Sequence, residues 1–78
     1  MSDANRVLDV KGLNCPMPLL KAKLTLNEME SGSLLRVYAT DSGSVRDFEV
    51  FSQQSGNELL EATELDGVYS YLLRKKSG

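Results

Sequence analysis

Histidine and tryptophan are absent from this chain, cysteine occurs once, at Cys15, and proline only twice, at Pro16 and Pro18. Each shortage removes a class of chemistry. Without His there is no Ser–His or Cys–His nucleophile pair. One Cys forms neither an internal disulfide nor a Cys-x-x-Cys redox couple. A Cys/His zinc site needs about four such ligands, so no metal is expected. Glycine-rich phosphate loops are missing as well, and no tightly bound organic cofactor is expected. No apolar run approaches the ~20 residues that span a bilayer, so membrane insertion is not expected. The opening Met1–Asn5 stretch is polar and has no signal-peptide pattern, which leads us to expect a cytoplasmic protein. Positive charge is scarce too. Lys and Arg number 9 against 11 Asp and Glu, a net charge of −2. Direct nucleic-acid binding through a general electrostatic grip is therefore not expected.

What is present fits one small domain. The chain has 78 residues, 41% hydrophobic and 26% charged, enough for a thin two-layer core. Residues 1–78 are read as a single domain, with 1–5 and 76–78 expected to fray, and as a monomer. Arg6–Val10 is short and β-branched, with Leu8 and Val10 on one face, and reads as a strand. Leu19 to Glu30 has helical period, following a helix start at Pro16. Leu19, Ala22, Leu26 and Met29 form its apolar stripe, Leu20 and Leu24 widen it, and Thr25 faces away. Gly32 is the expected left-handed stop. Leu34–Thr40 reads as a second strand. Ser44-Val45-Arg46-Asp47 has the form of a capping box with Asp for Glu, opening a shorter helix to about Gln54. Ser55-Gly56-Asn57 ends that helix. Glu58–Leu65 and Val68–Arg74 read as two strands joined by Asp66-Gly67, a favoured two-residue hairpin turn.

The order βαβαββ predicts an α/β (α+β) two-layer sandwich: a four-stranded mixed sheet with two helices on one face and right-handed crossovers. The other face is then partly exposed, and Tyr38, Tyr69 and Tyr71 are the candidates to lie on it.

Cys15 leads the candidates for chemistry. It lies between a loop and a helix start that Pro16 and Pro18 stiffen, Pro16 being suited to the first helical position. Amide donors and the positive end of the helix dipole are expected to face the sulfur and lower its pKa below ~8.5. Residues 1–27 balance at +2 and the remainder at −4, a modest push in the same direction. A free cysteine is commonly a small buried hydrophobe. Here it stands outside the periodic core positions. Lacking a general base and a resolving thiol, an activated exposed cysteine is suited to accepting a group and handing it on. Sulfur is the natural cargo: the thiolate attacks the outer sulfur of a donor persulfide and becomes Cys–S–SH.

Leu8-Asp9, Gly12-Leu13, Cys15-Pro16-Met17-Pro18, Arg46-Asp47-Phe48, Glu58-Leu59 and Asp66-Gly67 together resemble the TusA/SirA family of small sulfur carriers, over about Val7 to Lys75. The resemblance implies a sulfurtransferase acting as a relay, with a persulfide on Cys15. It implies a donor protein, either a cysteine desulfurase or a rhodanese, and an acceptor protein. The route leads toward 2-thiouridine in transfer RNA or another sulfur pathway. Thr40-Asp41-Ser42 stands where the family often has Asp-Asp-Pro, and Gly56-Asn57 where it often has Gly-His.

Five further residues are candidates for partner docking: Met17, Lys21, Lys23, Arg46 and Asp47. For Arg46 and Asp47 a cap and a surface ion pair is the preferred reading, since capping alone explains a first-turn Asp, and a solvated helix face accounts equally well for the two lysines. Two alternatives stand beside the carrier. One is a small RNA-binding or partner-binding module of similar topology, stacking bases on its tyrosines without thiol chemistry. The other is an accessory partner of a membrane sulfur transporter.

Overall fold

The computed structural model describes residues 4–76. Its elements run β1 (Arg6–Asp9), α1 (Met17–Asn27), β2 (Leu34–Ala39), α2 (Ser44–Ser55), β3 (Glu58–Leu65) and β4 (Val68–Arg74). The strands form one sheet in the order β1-β2-β4-β3. β1 and β2 are parallel, whereas β4 is antiparallel to both its neighbours. The two-layer βαβαββ architecture is the expected one. The hairpin is as expected too: Asp66 and Gly67 both have positive φ, 51° and 83°, as the tight twisted turn between β3 and β4 requires. Gly56 closes α2 with φ 84°, the left-handed helix stop that glycine supplies without steric cost.

The core lies between the helices and one sheet face. Val10, Ala22, Leu26, Leu35, Val37, Ala39, Phe48, Phe51, Tyr71 and Leu73 are buried there, with Leu8, Leu13, Leu19, Met29, Val45, Leu59 and Tyr69 packed around them. At its centre the Phe48 ring stacks on Tyr71, with centroids 4.4 Å apart and planes at 20°. Stacked aromatics of this kind add to what their burial contributes.

Several local expectations fail. α1 starts at Met17, one residue after the expected Pro16, and ends at Asn27, not Glu30. Gly32 therefore caps no helix; with φ 85° it serves a separate turn closed by the Ser33 N–H on the Glu30 carbonyl at 3.1 Å. Leu20 and Leu24 are exposed, at 41% and 66%. Thr25 is buried in their stead and donates its hydroxyl to the Lys21 carbonyl at 2.9 Å, so its one polar atom does not oppose burial. The expected stripe was thus too wide, because a single sheet covers only one side of the helix.

Tyr71 lies in the core, 1% exposed. Register explains it: Tyr71 pairs with Val37 and Tyr69 with Ala39, and cross-strand partners share a face. Tyr38, paired with Ser70, lies on the opposite, outer face, where the Lys11 ammonium stands 5.5 Å from its ring centroid. The tyrosine platform required by the base-stacking alternative does not exist. On the outer face Arg36 is buried instead, donating to Glu61 at 3.2 Å and Ser70 at 2.9 Å.

The capping box is also absent. Gly43, not Ser44, is the N-cap of α2. The Ser44 hydroxyl turns inward, donating to the Asp41 carbonyl at 2.7 Å and lying 2.7 Å from the Tyr71 hydroxyl. Ser44 has one hydroxyl proton, already given to Asp41, so Tyr71 is the donor in the second bond. Of the residues expected to fray, Asn5 and Lys76 are bonded. Asn5 pairs with Leu34 through N–H to carbonyl at 2.9 Å, and Lys76 N–H donates to the Asn57 side chain at 2.8 Å. Residues 1–3, 77 and 78 lie outside the described residues.

The stacked pair gives a direct test. Phe48→Ala should lower unfolding free energy by about 3–5 kcal/mol, while Leu24→Ala on the exposed side of α1 should change it by less than about 0.5 kcal/mol. Urea denaturation followed by circular dichroism measures both; equal effects would contradict this core.

Candidate functional site

Cys15 is exposed and sits in the turn that delivers the chain from β1 into α1. The turn closes through the Met17 N–H on the Asn14 carbonyl at 2.8 Å, and the Cys15–Pro16 peptide bond is cis. Pro16 is the N-cap of α1 and Pro18 its second residue. Pro16 was expected one position further in. The two prolines fix the helix start, but they also strip it of donors: Met17 has turned its amide back onto Asn14, and Pro18 has none to give.

The groups that do meet the cysteine come from the other half of the chain. Cys15 N–H donates to Asp41 Oδ2 at 3.2 Å. Cys15 Sγ donates to Asp47 Oδ2 at 2.7 Å. Asp47 rides on the first turn of α2, and Asp41 on the loop that follows β2. That loop is tied to the cysteine loop by Gly12 N–H on Thr40 Oγ1 at 2.9 Å. It is tied to the core through Ser44 and Tyr71, as described above. Gly43 lies beneath: a Cβ built there would stand 3.0 Å from Asp41 Oδ2 and 3.4 Å from Cys15 Cβ. Glycine suits this close approach, since a Cβ would press on the Asp41 carboxylate; no unusual backbone angle is involved.

The electrostatics reverse the expectation from sequence. The hydrogen bond to Asp47 pushes the Cys15 thiol above its ordinary pKa, helped by partial desolvation and by the negative charges of Asp47 and Asp41. A thiol that donates to a carboxylate must give up that bond, and face a like charge, when it ionises. The basic balance of residues 1–27 does not help. Lys11 is held by Asp9 at 3.1 Å, and its contact holds the Asp9 carboxyl below the usual carboxylate range. Lys23 lies far along α1, its ammonium 5.7 Å from the Phe51 ring centroid.

Of the remaining candidates, Met17 is exposed beside Cys15 at 41%. Lys21 is exposed on α1 and Arg46 on α2, and Arg46 makes no ion pair among the described residues. Neither cap nor ion pair therefore accounts for Asp47; it belongs to the cysteine. Asp41 and Gly43 were not singled out in the sequence, where Asp41-Ser42-Gly43-Ser44 has the composition of any surface turn. A cavity of about 370 Å³ is lined by Lys23, Phe51, Asn57, Lys75 and neighbours. It lies at the far end of α1, about 15 Å of helix from the cysteine, and takes no part in this site. Among the described residues no group of three or more His, Cys, Asp or Glu is placed to hold a metal ion, and no helix is long and apolar enough to cross a membrane.

Comparison with known proteins identifies the family and agrees with the fold. The family model for sulfurtransferase TusA matches residues 6–75. The chain belongs to the TusA family. It is 53% identical over 75 residues to the sulfur carrier protein TusA of Allochromatium vinosum, covering 96% of this chain and 99% of that one. It is 41% identical over 71 residues to the sulfur carrier protein TusA of Pseudomonas putida, covering 91% and 89%. In three dimensions it matches a SirA-like protein from Desulfitobacterium hafniense with a TM-score of 0.80 and 26% identity, covering 92% of this chain and 99% of that structure. The resemblance to the TusA/SirA family is therefore a family relationship along nearly the whole chain.

Alkylation of Cys15 by iodoacetamide should follow a pH profile whose midpoint lies above that of the urea-unfolded chain. The linkage has a definite sign. Because the folded thiol pKa is raised, the associated stabilisation is complete below the unfolded pKa and is lost as pH rises through the folded one. A folded midpoint below the unfolded one would overturn the placement of Asp47.

Proposed function

We propose that this TusA-family protein is a sulfur carrier that moves sulfane sulfur as a persulfide on Cys15, between a donor and an acceptor protein. The observation that carries this reading is an exposed, solitary thiol at the tip of a proline-stiffened turn. The absence of a second cysteine suits it, because an internal thiolate would discharge the persulfide.

The transfer balances without an added oxidant. Cys15 loses its thiol proton, and its thiolate attacks the outer sulfur of a donor persulfide, R–S–SH. The new Sγ–S bond forms as the donor's S–S bond breaks, and the donor thiolate leaves and takes up a proton. The sum is Cys15–SH plus R–S–SH giving Cys15–S–SH plus R–SH. Unloading repeats the step, with the acceptor's thiolate attacking the outer sulfur and Cys15 leaving. A cysteine desulfurase or a rhodanese has the right chemistry for a donor. Acceptors on the route to thiolated transfer RNA have the right chemistry to receive it.

Docking is best served by the exposed face that begins at the cysteine. Met17, Leu20 and Leu24 follow one another at positions i, i+3 and i+7 along α1, all exposed, and such spacing forms one continuous stripe. Lys21, exposed on the same helix, adds a positive rim that favours acidic partners. Exposed apolar side chains in such a row mark interaction surfaces more often than scattered single ones.

Incubation with a cysteine desulfurase and cysteine should add the mass of one sulfur atom, removable by reductant and mapped to Cys15. Cys15→Ser should take up none while keeping the wild-type circular dichroism spectrum. Uptake by the serine variant, or none by the wild type across desulfurase and rhodanese donors, would exclude the reading.

A further inference from the structure

The Asp47 carboxylate is committed to the bare thiol in a way that a loaded cysteine cannot satisfy. Sγ and Oδ2 are 2.7 Å apart, and a sulfur–sulfur bond adds about 2 Å. An outer sulfur has no space between those atoms. Nor can it settle inward, because Asp41 Oδ2 and the Gly43 backbone fill the floor: a Cβ placed on Gly43 would stand 3.0 Å from that oxygen and 3.8 Å from Sγ. Charge acts in the same sense. The terminal S–H of a persulfide is more acidic than a thiol, since the neighbouring sulfur withdraws electron density. At neutral pH the loaded form is an anion facing two carboxylates.

We propose that Asp47 is a positioning residue that distinguishes the empty from the loaded carrier. It draws the bare thiol inward through a hydrogen bond and turns the persulfide outward to the acceptor. This rests on the persulfide reading above. The charged groups acting on the sulfur are Asp47 from α2 and Asp41 from the loop before it. From the remaining packed elements, Tyr71 of β4 faces this region as a neutral hydroxyl whose burial pushes its pKa up. Lys11, in the loop before Cys15, is engaged by Asp9. Asp47 is thus the one group of these that contacts Sγ, while Asp41 contacts only the backbone of the same residue.

The two roles predict effects of opposite sign in one variant. In Asp47→Asn the bare thiol should react with iodoacetamide about ten-fold faster at pH 7, with its pH midpoint shifted down. Once loaded with inorganic polysulfide, the same variant should have its outer sulfur alkylated by neutral iodoacetamide at least about two-fold more slowly than wild type, because that sulfur is no longer turned outward. Asp47→Glu should restore much of the wild-type profile. Asp41→Asn removes an equal charge but not the thiol's partner, and should shift the bare-thiol midpoint less. Equal shifts from the two Asn variants, or bare and loaded rates moving in the same direction, would overturn the proposal. If Asp47→Asn does not fold, Asp47→Ser, which also removes the carboxylate, takes its place in each comparison. If polysulfide cannot load wild-type Cys15, the persulfide reading itself fails, while the bare-thiol profiles still report on the Asp47 hydrogen bond.

Discussion

The site depends on the parallel pairing of β1 with β2. Two parallel neighbours end at the same edge of the sheet, so the segments leaving them emerge side by side. The first is the loop that carries Cys15, and the second is the loop and helix start that carry Asp41 and Asp47. Residues 26 and 32 positions apart are thereby brought into hydrogen-bond contact. Ligand sites in α/β proteins gather at this end of the strands for the same reason. Here the arrangement is braced from below: Tyr71 donates to Ser44, Ser44 donates to the Asp41 carbonyl, and Asp41 receives the cysteine amide. The position of the sulfur is therefore tied by hydrogen bonds to a ring at the centre of the core, although the sulfur itself is exposed.

Two electrostatic influences compete at Cys15, and their magnitudes decide the outcome. A helix N-terminus is equivalent to about half a positive charge, spread over the first-turn amides and screened at an exposed site. In α1 that set is depleted, because Met17 has spent its amide on Asn14 and Pro18 has none. Against it stands a full carboxylate charge in direct hydrogen-bond contact at 2.7 Å, the stronger kind of bond. The carboxylate prevails and the resting thiol keeps its proton. Thiolates are the form that oxidants attack, so a protonated resting state protects a cysteine that must stay exposed to meet its partners.

Much of this was legible in the residues, and what was not has a physical cause. Strand limits, the Asp66-Gly67 hairpin and the Gly56 helix stop follow from local backbone chemistry, which short windows of sequence contain. The exposed placement of Cys15 was legible because the residue stands outside the apolar period. Leu20 and Leu24 misled because helical periodicity ranks apolar positions without saying how wide a face will be covered. Tyr71 misled because side-chain facing on β4 is set by its register with β2, a long-range fact. In the sequence Asp47 has the form of a cap, because an acidic residue in a helix's first turn fits that role on local grounds alone. Its contact with Cys15 follows only from the parallel β1–β2 pair. The charge balance of residues 1–27 failed for the same reason: the charges nearest the sulfur in space are not those nearest it in the chain.

A raised thiol pKa at first sight opposes a sulfur-transfer role, yet on the proposed reading it serves one half of the relay. Intrinsic nucleophilicity rises with thiol pKa, which offsets part of the loss in thiolate fraction during loading. In unloading, Cys15 is the leaving group, and a thiol of higher pKa leaves more slowly. The outer sulfur is thereby retained against adventitious small thiols during the interval between partners. Release then needs something that the free carrier does not supply, namely relief of the negative charge at Asp41 and Asp47 as Cys15 departs. An acceptor that brings a positive side chain to those carboxylates would lower the pKa of the departing thiol where transfer is wanted. The acidic surround of the cysteine thus couples release to docking, and a carrier with a permanently activated thiol would lack that coupling.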